Sequence, residues 1–396
     1  MHVFLRARLG ILGGMSQNTV LLTLGRLPPA VDIARSFAAA GWRVVVAEPF
    51  KRHMAGTSRA VDVSIQVPAP AAGAAAYLEA LRRVIADEDI DLVVPVSEET
   101  MHVAQLRDAL ASEDGAPDVY CAPGADTLAL HSKHNFIALA HDAGLAMPDT
   151  ARVGTPEAAA LVEAQDVIVK PEFSCSGRGL QRVTRGSALP ATDTAHIVQS
   201  EIVGDEVSGF AMARAGRVLV SCAYRATVRH GSVAVAFERF SAPAVEAWIE
   251  QFVAATAHTG FIAFDFIIDA DGVPRAIECN PRATSGLHFV AQDDIAAVIT
   301  GAKQSADLRD DTLLQEFWSN WTHWFASLRD GDERRRTGWS LRRARDVTWQ
   351  ARDPGVFLLA TWSTWPIIGQ ALKRGETFAE VLALDIEYQP EEPAEA

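Results

Sequence analysis

Phe261-Ile-Ala-Phe-Asp-Phe-Ile-Ile268, then Asp-Ala-Asp-Gly, then Val273-Pro-Arg-Ala-Ile-Glu-Cys-Asn280, is the stretch on which the reading of this chain turns. Two apolar runs flank Asp271-Gly272, a pair that favours a type I′ hairpin turn because both central residues need positive φ. With that pair as a two-residue loop, Ala270 faces Val273 and Asp265 comes directly opposite Glu278. Asn280 then projects to the same face, opposite Ala263. The other face of the first strand is Ile262, Phe264, Phe266 and Ile268, a core surface. Two opposed carboxylates in so apolar a setting repel one another and lose hydration. A divalent cation relieves both problems, and the oxygen-only set Asp265, Glu278 and Asn280 suits Mg²⁺, with Mn²⁺ as an alternative. The competing reading is a carboxylate paired with an arginine on a half-exposed sheet.

The rest of the composition bounds what such a site can serve. At 396 residues the chain is long enough for two or three packed units. Hydrophobic content of 49% with 22% charged residues is that of a soluble globular protein. A formal net charge of −14 argues against nucleic acid or an anionic membrane surface as the main partner. Cys121, Cys175, Cys222 and Cys279 are widely spaced and suggest neither a zinc knuckle nor a disulfide framework, so a reducing cytoplasm is expected. Residues 1–15 read as an extension, with Met15 as good a start as Met1, since the apolar run is too short for a signal peptide.

Along the chain, Thr19–Leu24, a helix to about Ala40 and Trp42–Ala47 make a βαβ start. Gly25-Arg-Leu-Pro-Pro lacks the spaced glycines of a dinucleotide fingerprint, so the unit reads as a Rossmann-like scaffold without its own dinucleotide. A helix over about 74–87 leads to a third strand, Leu92–Val96, ending in Ser97-Glu98-Glu99-Thr100. Ligands collect at the carboxyl ends of parallel strands, which makes Glu98 and Glu99 candidates for holding a substrate. Equally, they can simply charge the first turn of the next helix.

A boundary falls near 122–124. Ser132 can cap a helix over Lys133–Ala143, and Thr155-Pro156 starts another. Lys170 ends the apolar strand Val167-Ile-Val, where burial is costly unless it meets an anion. The small-residue loop after it, Ser174-Cys-Ser176-Gly177-Arg-Gly179, lets backbone N–H groups close over phosphate oxygens. Together the two point to a nucleoside triphosphate. A strand over His196–Val203, a hairpin turning at Ala215-Gly216 and a helix over about 243–259 precede the opening hairpin. After it, Arg282 sits beside the metal candidates, where a guanidinium can steady a transferring phosphoryl group.

Taken together, the chain resembles the ATP-grasp enzymes of the carboxylate–amine ligase type over roughly Thr19 to Val290. The resemblance rests on Ser-Lys133-His-Asn-Phe, on Val-Ile-Val-Lys170-Pro with its Ser/Gly loop, and on Gln199-Ser-Glu-Ile-Val-Gly-Asp-Glu206. It rests also on Phe-Asp265 thirteen residues ahead of Glu278-Cys-Asn280-Pro-Arg282. It implies an α/β and α+β architecture: a Rossmann-like N-domain (16–124) and an ATP-grasp domain (125–302) with a lid at about 150–205. A helical C-terminal appendage (303–396) lies beyond the likeness. It further implies that Lys133 and Lys170 contact the nucleotide phosphates under the Ser174–Gly179 loop. Gln199 and the Ile202 backbone would form the adenine hinge, Glu201 being an alternative, and Glu206 would bind ribose hydroxyls. Asp265, Glu278 and Asn280 match the magnesium ligands and Arg282 the phosphoryl-stabilising base, with Ser285, Gly286 and His288 near the acyl substrate.

The implied reaction forms an acyl phosphate from a carboxylate and ATP, then an amide or peptide bond with an amine. Some dipeptide-forming relatives carry an arginine where Ala263 stands here, so Arg225, Arg229 and His230 are alternative holders of the acid. Those three read equally well as a solvated basic strand face. Beyond about Ala302 the tail carries seven tryptophans between Trp318 and Trp365 and the basic runs Arg334–Arg336 and Arg342–Arg345. It reads as helices packing on the core, with a homodimer contact, a hydrophobic pocket or peripheral membrane contact as alternatives. Phe357–Ile368 is too short to span a bilayer, and Glu391–Ala396 reads as a disordered acidic tail. Two other functions stay open at this point: ATP-dependent carboxylation or carbamoyl transfer, and a non-catalytic ATP-binding regulator.

Overall fold

Residues 17–174, 179–192, 194–230, 233–327, 330–374, 381–382 and 385–388 are described in the computed structural model. The N-terminal extension, Ser176, Gly177 and the acidic tail lie outside the described residues, as does the His230 side chain.

In the N-terminal part, β1 (Thr19–Leu22), α1 (Pro28–Ala39), β2 (Arg43–Glu48), β3 (Val63–Gln66), α2 (Ala74–Asp87), β4 (Leu92–Val94), α3 (Thr100–Leu110) and β5 (Asp118–Val119) build a parallel sheet ordered β3-β2-β1-β4-β5. Both faces are covered, as an all-parallel sheet requires. Val20, Leu22, Val44 and Val46 meet Ile33 and Phe37 of α1. Leu21, Val45 and Val93 meet Tyr77, Leu81 and Val103 on the other side. The strand at Leu92 is therefore the fourth, not the third. The short edge strand β3 alternates only Val63 and Ile65 with exposed polar residues, too weak a pattern to read in advance.

Two helices follow, α4 (Gly124–His131) and α5 (Lys133–Asp142), with the Ser132 hydroxyl between them accepting the Asn135 N–H at 3.2 Å. A second sheet comprises β6 (Thr150–Arg152), β7 (Val167–Pro171), β8 (Gln181–Val183) and β9 (His196–Ser200), in the order β6-β9-β7-β8. Between β6 and β7 runs α6 (Pro156–Ala164), its first turn capped by Thr155. Val167, Val169 and Val198 pack with Ala158 and Val162 of α6. Strand alternation turns Ile168 and Lys170 to the opposite face.

A third sheet carries the organising hairpin. It is built from β10 (Asp205–Arg214), β11 (Arg217–His230), β12 (Val233–Phe240), β13 (Gly260–Ile268) and β14 (Pro274–Asn280), with α7 (Pro243–Thr256) between β12 and β13. Ile262, Phe264 and Phe266 pack on Trp248 and Phe252 of α7 and on Phe136 of α5. Gly209 lets α7 approach, since a Cβ there would stand 2.8 Å from Ile249. Beyond the hairpin come α8 (Gln292–Ile299), β15 (Leu313–Gln315), α9 (Phe317–Ala326), α10 (Gly331–Arg343), β16 (Arg345–Asp346), α11 (Gly355–Leu358) and α12 (Ala360–Arg374). The tail is not purely helical, because β15 and β16 extend the third sheet to the order β14-β13-β10-β11-β12-β15-β16. Trp318, Trp321, Trp339, Trp349, Trp362 and Trp365 of this region remain exposed rather than buried in the core.

The hairpin reaches its expected register by a different route. Asp271 does not take positive φ; only Gly272 does, at 78°. The Gly272 N–H donates to the Asp269 carbonyl at 2.9 Å and the Asp269 N–H to the Val273 carbonyl at 3.2 Å, enclosing a three-residue loop with its left-handed residue last. The Asp269 carboxylate accepts the N–H groups of Asp271 and Val273, which favours this turn over the type I′ one. Ile268 consequently pairs with Pro274, and a bulge between Asp265 and Phe266 leaves Ile277 as the extra residue. The two offsets cancel, so Asp265 still opposes Glu278 and Ala263 still opposes Asn280. The type I′ turn occurs instead at Ala215-Gly216, with φ values of 47° and 78°.

Candidate active site

The face of β13 and β14 turned away from α7 presents Asp265, Glu278 and Asn280. Ser208 of β10, paired with Asp265 across the sheet, donates its hydroxyl to Asp265 Oδ1 at 2.9 Å. Burial first, and then the neighbouring Glu278, pushes the Asp265 carboxyl up to about 6, against the pull of Ser208, Arg282 and Arg229. A cation shared with Glu278 would relieve that penalty. Among the described residues there is no cluster of three or more His, Cys, Asp or Glu side chains at metal-binding spacing. An ion between β13 and β14 would meet two carboxylates and an amide, hard oxygen donors that fit Mg²⁺ or Mn²⁺.

Two lysines converge on the same carboxylates from other elements. Lys133, the first residue of α5, donates from Nζ to the Ser174 carbonyl at 2.7 Å and its hydroxyl at 3.2 Å, and stands 3.6 Å from Glu278 Oε1. Lys170, on the inner face of β7, donates to Gln199 Oε1 at 3.0 Å and to the Ile277 carbonyl at 2.9 Å. That carbonyl belongs to the bulge residue, so the irregularity that restores the register also supplies the anchor joining the second sheet to the third. Burial lowers the Lys170 ammonium to about 8, with Lys133 adding to the effect and Glu278 and Asp265 opposing it. Lys133 and Lys170 together form a buried cationic pair beside an acidic one, an arrangement ready for phosphate oxygens.

At the mouth facing the parallel sheet, Arg282 Nε lies 2.7 Å from Glu98 Oε1 and its Nη2 donates to Asn280 Oδ1 at 3.3 Å. Burial tends to raise the Glu98 carboxyl, but Arg282, His131 and Lys133 hold it below the ordinary range. Glu99 plays a different part. Its carboxylate accepts the Val96 N–H at 2.7 Å, the Ser97 N–H at 3.0 Å and the Thr23 hydroxyl at 2.9 Å, closing the turn after β4. The adjacent glutamates therefore separate: Glu98 faces the cleft and Glu99 is structural.

On the second sheet, Gln199 is buried and its Nε2 donates to Thr150 at 3.2 Å. Glu201 pairs with Arg182 at 2.7 Å, Glu206 pairs with Arg229 at 2.7 Å, and half-buried Ile202 lies between them. Gly204 is obligatory in this connection, because a Cβ would stand 2.0 Å from the Ile268 carbonyl. Gly179 has φ of 72°, with a prospective Cβ 3.0 Å from Pro171.

Several candidates are placed elsewhere. Arg225 pairs with Glu238 at 2.8 Å and lines a groove of about 810 Å³ with Arg335, Arg336 and Trp339 of α10. Arg229 pairs with Glu206, and its charge favours the ionised Asp265 carboxylate. His288 is buried in the core, its Nδ1 2.7 Å from Asp32 Oδ2 of α1 and its ring stacked on Phe237. Gly286 is wedged against Phe210 and Tyr224, where a Cβ would approach to 2.2 Å and 3.0 Å. Half-buried Ser285 opens the same short 3-10 turn. Sequence reasoning missed Ser208, His131 and the Glu172 carboxylate, which holds Ser132 and Arg152. Ser208 is legible only once β10 is known to pair with β13, a contact distant in sequence.

The molecule's likenesses agree with this geometry. Residues 131–286 match the family described as the ATP-grasp domain. No curated protein sequence matches the chain. Among solved structures, a pyruvate carboxylase from Rhizobium etli superposes with a TM-score of 0.55 at 17% identity, over 72% of this chain. This chain spans 27% of that protein's length. An L-amino acid ligase from Bacillus licheniformis gives 0.56 at 16% identity, covering 74% of this chain and 76% of the ligase. N5-carboxyaminoimidazole synthetase from Staphylococcus aureus gives 0.59 at 14% identity, covering 80% and 89%. At such identities the likeness is one of fold. Residues 131–286 are thus similar to the ATP-grasp domain, and the chain shares the fold of these ATP-grasp structures.

Proposed function

We propose that this protein is an ATP-dependent carboxylate–amine ligase acting on an amino acid or a small specialised metabolite. The observation that carries the reading is the convergence of Lys133, Lys170, Asp265, Glu278, Asn280 and Arg282 on one cleft between two sheets. Lys133 and Lys170 hold the nucleotide phosphates. The adenine lies against the connection from Gln199 to Ile202, with Glu206 toward the ribose. Asp265, Glu278 and Asn280 would hold magnesium, which would neutralise charge on the phosphates during transfer. Arg282, steered by Glu98, faces the transferring phosphoryl group.

The substrate carboxylate attacks the γ-phosphorus, the β–γ bond breaks and ADP leaves. The amine then attacks the acyl carbon, expels inorganic phosphate and loses a proton to give the amide. Acyl phosphates hydrolyse, so the second sheet must exclude water while they persist. We read residues 16–124 as the N-domain, 125–302 as the ATP-grasp domain with its lid at 150–205, and 303–396 as an appendage. Buried free Cys121, Cys222 and Cys279 suit a reducing cytoplasm.

ADP release is to be measured with ATP and Mg²⁺ against a panel of amino acids and small acids, each with and without an amine. Dependence on both partners, abolished in Glu278→Gln, supports the ligase. Release with bicarbonate alone moves the protein to the carboxylating branch, to which the fold likeness with N5-carboxyaminoimidazole synthetase lends weight.

A further inference from the structure

The last described residues, Asp385-Ile-Glu-Tyr388, come back from the C-terminal helices to the carboxyl edge of the parallel sheet. Their anchor is Arg26, just past β1 and 2% exposed. Its Nη2 donates to Asp385 Oδ2 at 3.0 Å, its Nε to Glu48 Oε1 at 2.9 Å and its Nη1 to the Leu382 carbonyl at 3.4 Å. A guanidinium this deep is tolerated only when its charge is matched, so Asp385 is part of the reason Arg26 can be there. The Ala71 N–H adds a bond to the Asp385 carbonyl at 3.1 Å, and Ile386 is buried in the main core. One step earlier in the chain, Val381 packs with Ile367 and Ala371 of α12 against Phe50.

This docking delivers Tyr388 to the border between two parts of the site. Its ring centroid is 5.4 Å from that of His102 on α3 and 6.5 Å from that of Phe173. Phe173 immediately precedes Ser174, the residue that holds Lys133, and its ring is 5.9 Å from His131. His131 lies within the field of Glu98, Lys133, Glu278 and Arg282. Both ring nitrogens of His102 and Nε2 of His131 are buried without a hydrogen-bond partner among the described residues. Orphaned buried polar atoms are costly, and groups of this kind are satisfied when a polar ligand arrives.

We propose that Asp385–Tyr388 is a strap that seals the substrate side of the cleft, with Tyr388 as a specificity-determining wall. Tyr388, His102, Phe173 and His131 surround the seat for the side group of the acid, and the two imidazoles offer it hydrogen bonds. This rests on the ligase reading for the identity of the ligand, but the docking of the strap does not.

Two readouts keep these apart. Hydrogen exchange of the free enzyme follows residues 100–104 and 171–174 in the wild type, Asp385→Asn, Tyr388→Ala and Tyr388→Phe. Exchange rises in the first two variants and stays at the wild-type level in Tyr388→Phe; unchanged exchange in all three overturns the strap. ADP release against the acid panel follows the same proteins. Tyr388→Ala raises KM for the preferred acid by about tenfold or more and shifts preference toward bulkier acids. KM for ATP and kcat stay within about threefold, and Tyr388→Phe restores the acid KM. An equal fall in kcat for every acid, with KM unmoved, overturns Tyr388 as a wall. A wild type that answers no acid and amine refutes the ligase reading instead, and the exchange data then decide the strap alone.

Discussion

Lys170 and Asp265 show how burial prepares this cleft for charge. The Lys170 ammonium, lowered to about 8 from 10.5, is less basic in the folded chain than in the unfolded one. Between those values the unfolded state binds more protons, so the lysine's contribution to stability improves as pH rises through that window. Phosphate affinity runs the other way, because the neutral amine holds an anion poorly. ADP affinity, followed by fluorescence from about pH 7 to about pH 9.5, therefore falls above about 8, and Lys170→Met both weakens binding and removes this pH dependence. Asp265 has the opposite sign. Raised from 3.8 to about 6, it favours the metal-free fold most when protonated and loses that contribution as pH rises through the window. Its proton competes with a cation, so Mn²⁺ affinity read by electron paramagnetic resonance weakens as pH drops through about 6. Asp265→Asn weakens it by about tenfold or more at pH near 7.5. Both residues were legible in the sequence because a charged group interrupts an apolar strand. His131 and Ser208 were not, because an isolated histidine at a helix end or a serine in a strand carries no such contradiction.

Among elements, the β13–β14 hairpin carries the site and also tests how turns are read. Its register followed from alternation and from the Asp-Gly pair, yet two errors cancelled: a three-residue turn and a bulge at Ile277. Nothing in the local residues announces that bulge; its carbonyl is claimed by Lys170, a partner 107 positions away. Asp269 is predicted to hold the turn, since its carboxylate accepts two backbone N–H groups and pairs with Arg275 at 3.1 Å. Asp269→Ala is expected to lower the urea midpoint of unfolding, and an unchanged midpoint would show that the turn does not need this carboxylate. The neighbouring hairpin offers the reverse case. Ala215 sits at φ 47°, where a Cβ is strained, so Ala215→Gly raises stability by up to about 1 kcal/mol. A loss of stability there would mean that the side chain, not the backbone, matters at that corner.

Across the whole molecule, the parallel-sheet region and the C-terminal region are fastened by ion pairs of buried arginines that span the chain, Arg26 with Asp385 and Arg35 with Asp353. Asp353, beyond β16, receives Arg35 Nε at 2.9 Å, the Ser58 hydroxyl at 2.6 Å and the Arg59 N–H at 3.0 Å. Removing it as Asp353→Ala strands the buried Arg35 guanidinium, and calorimetry is expected to show a loss of about 3 kcal/mol or more. The same fastening explains why the C-terminal third was the least readable part: its strands β15 and β16 are short, and their partners lie far away in sequence. The ATP-grasp domain was legible from spaced motifs, each a charged or small-residue signature set in an apolar context. The substrate was not, because the wall proposed for it joins α3, Phe173 and the chain's last described turn, which are far apart in sequence. No helix among the described residues is long and apolar enough to cross a membrane. The most direct test of the central claim is ADP release from ATP and Mg²⁺ across the acid and amine panel, in wild type and Glu278→Gln. The account predicts release that needs both a carboxylate and an amine and is lost in the variant. Release that needs neither, or that survives in Glu278→Gln, would contradict it.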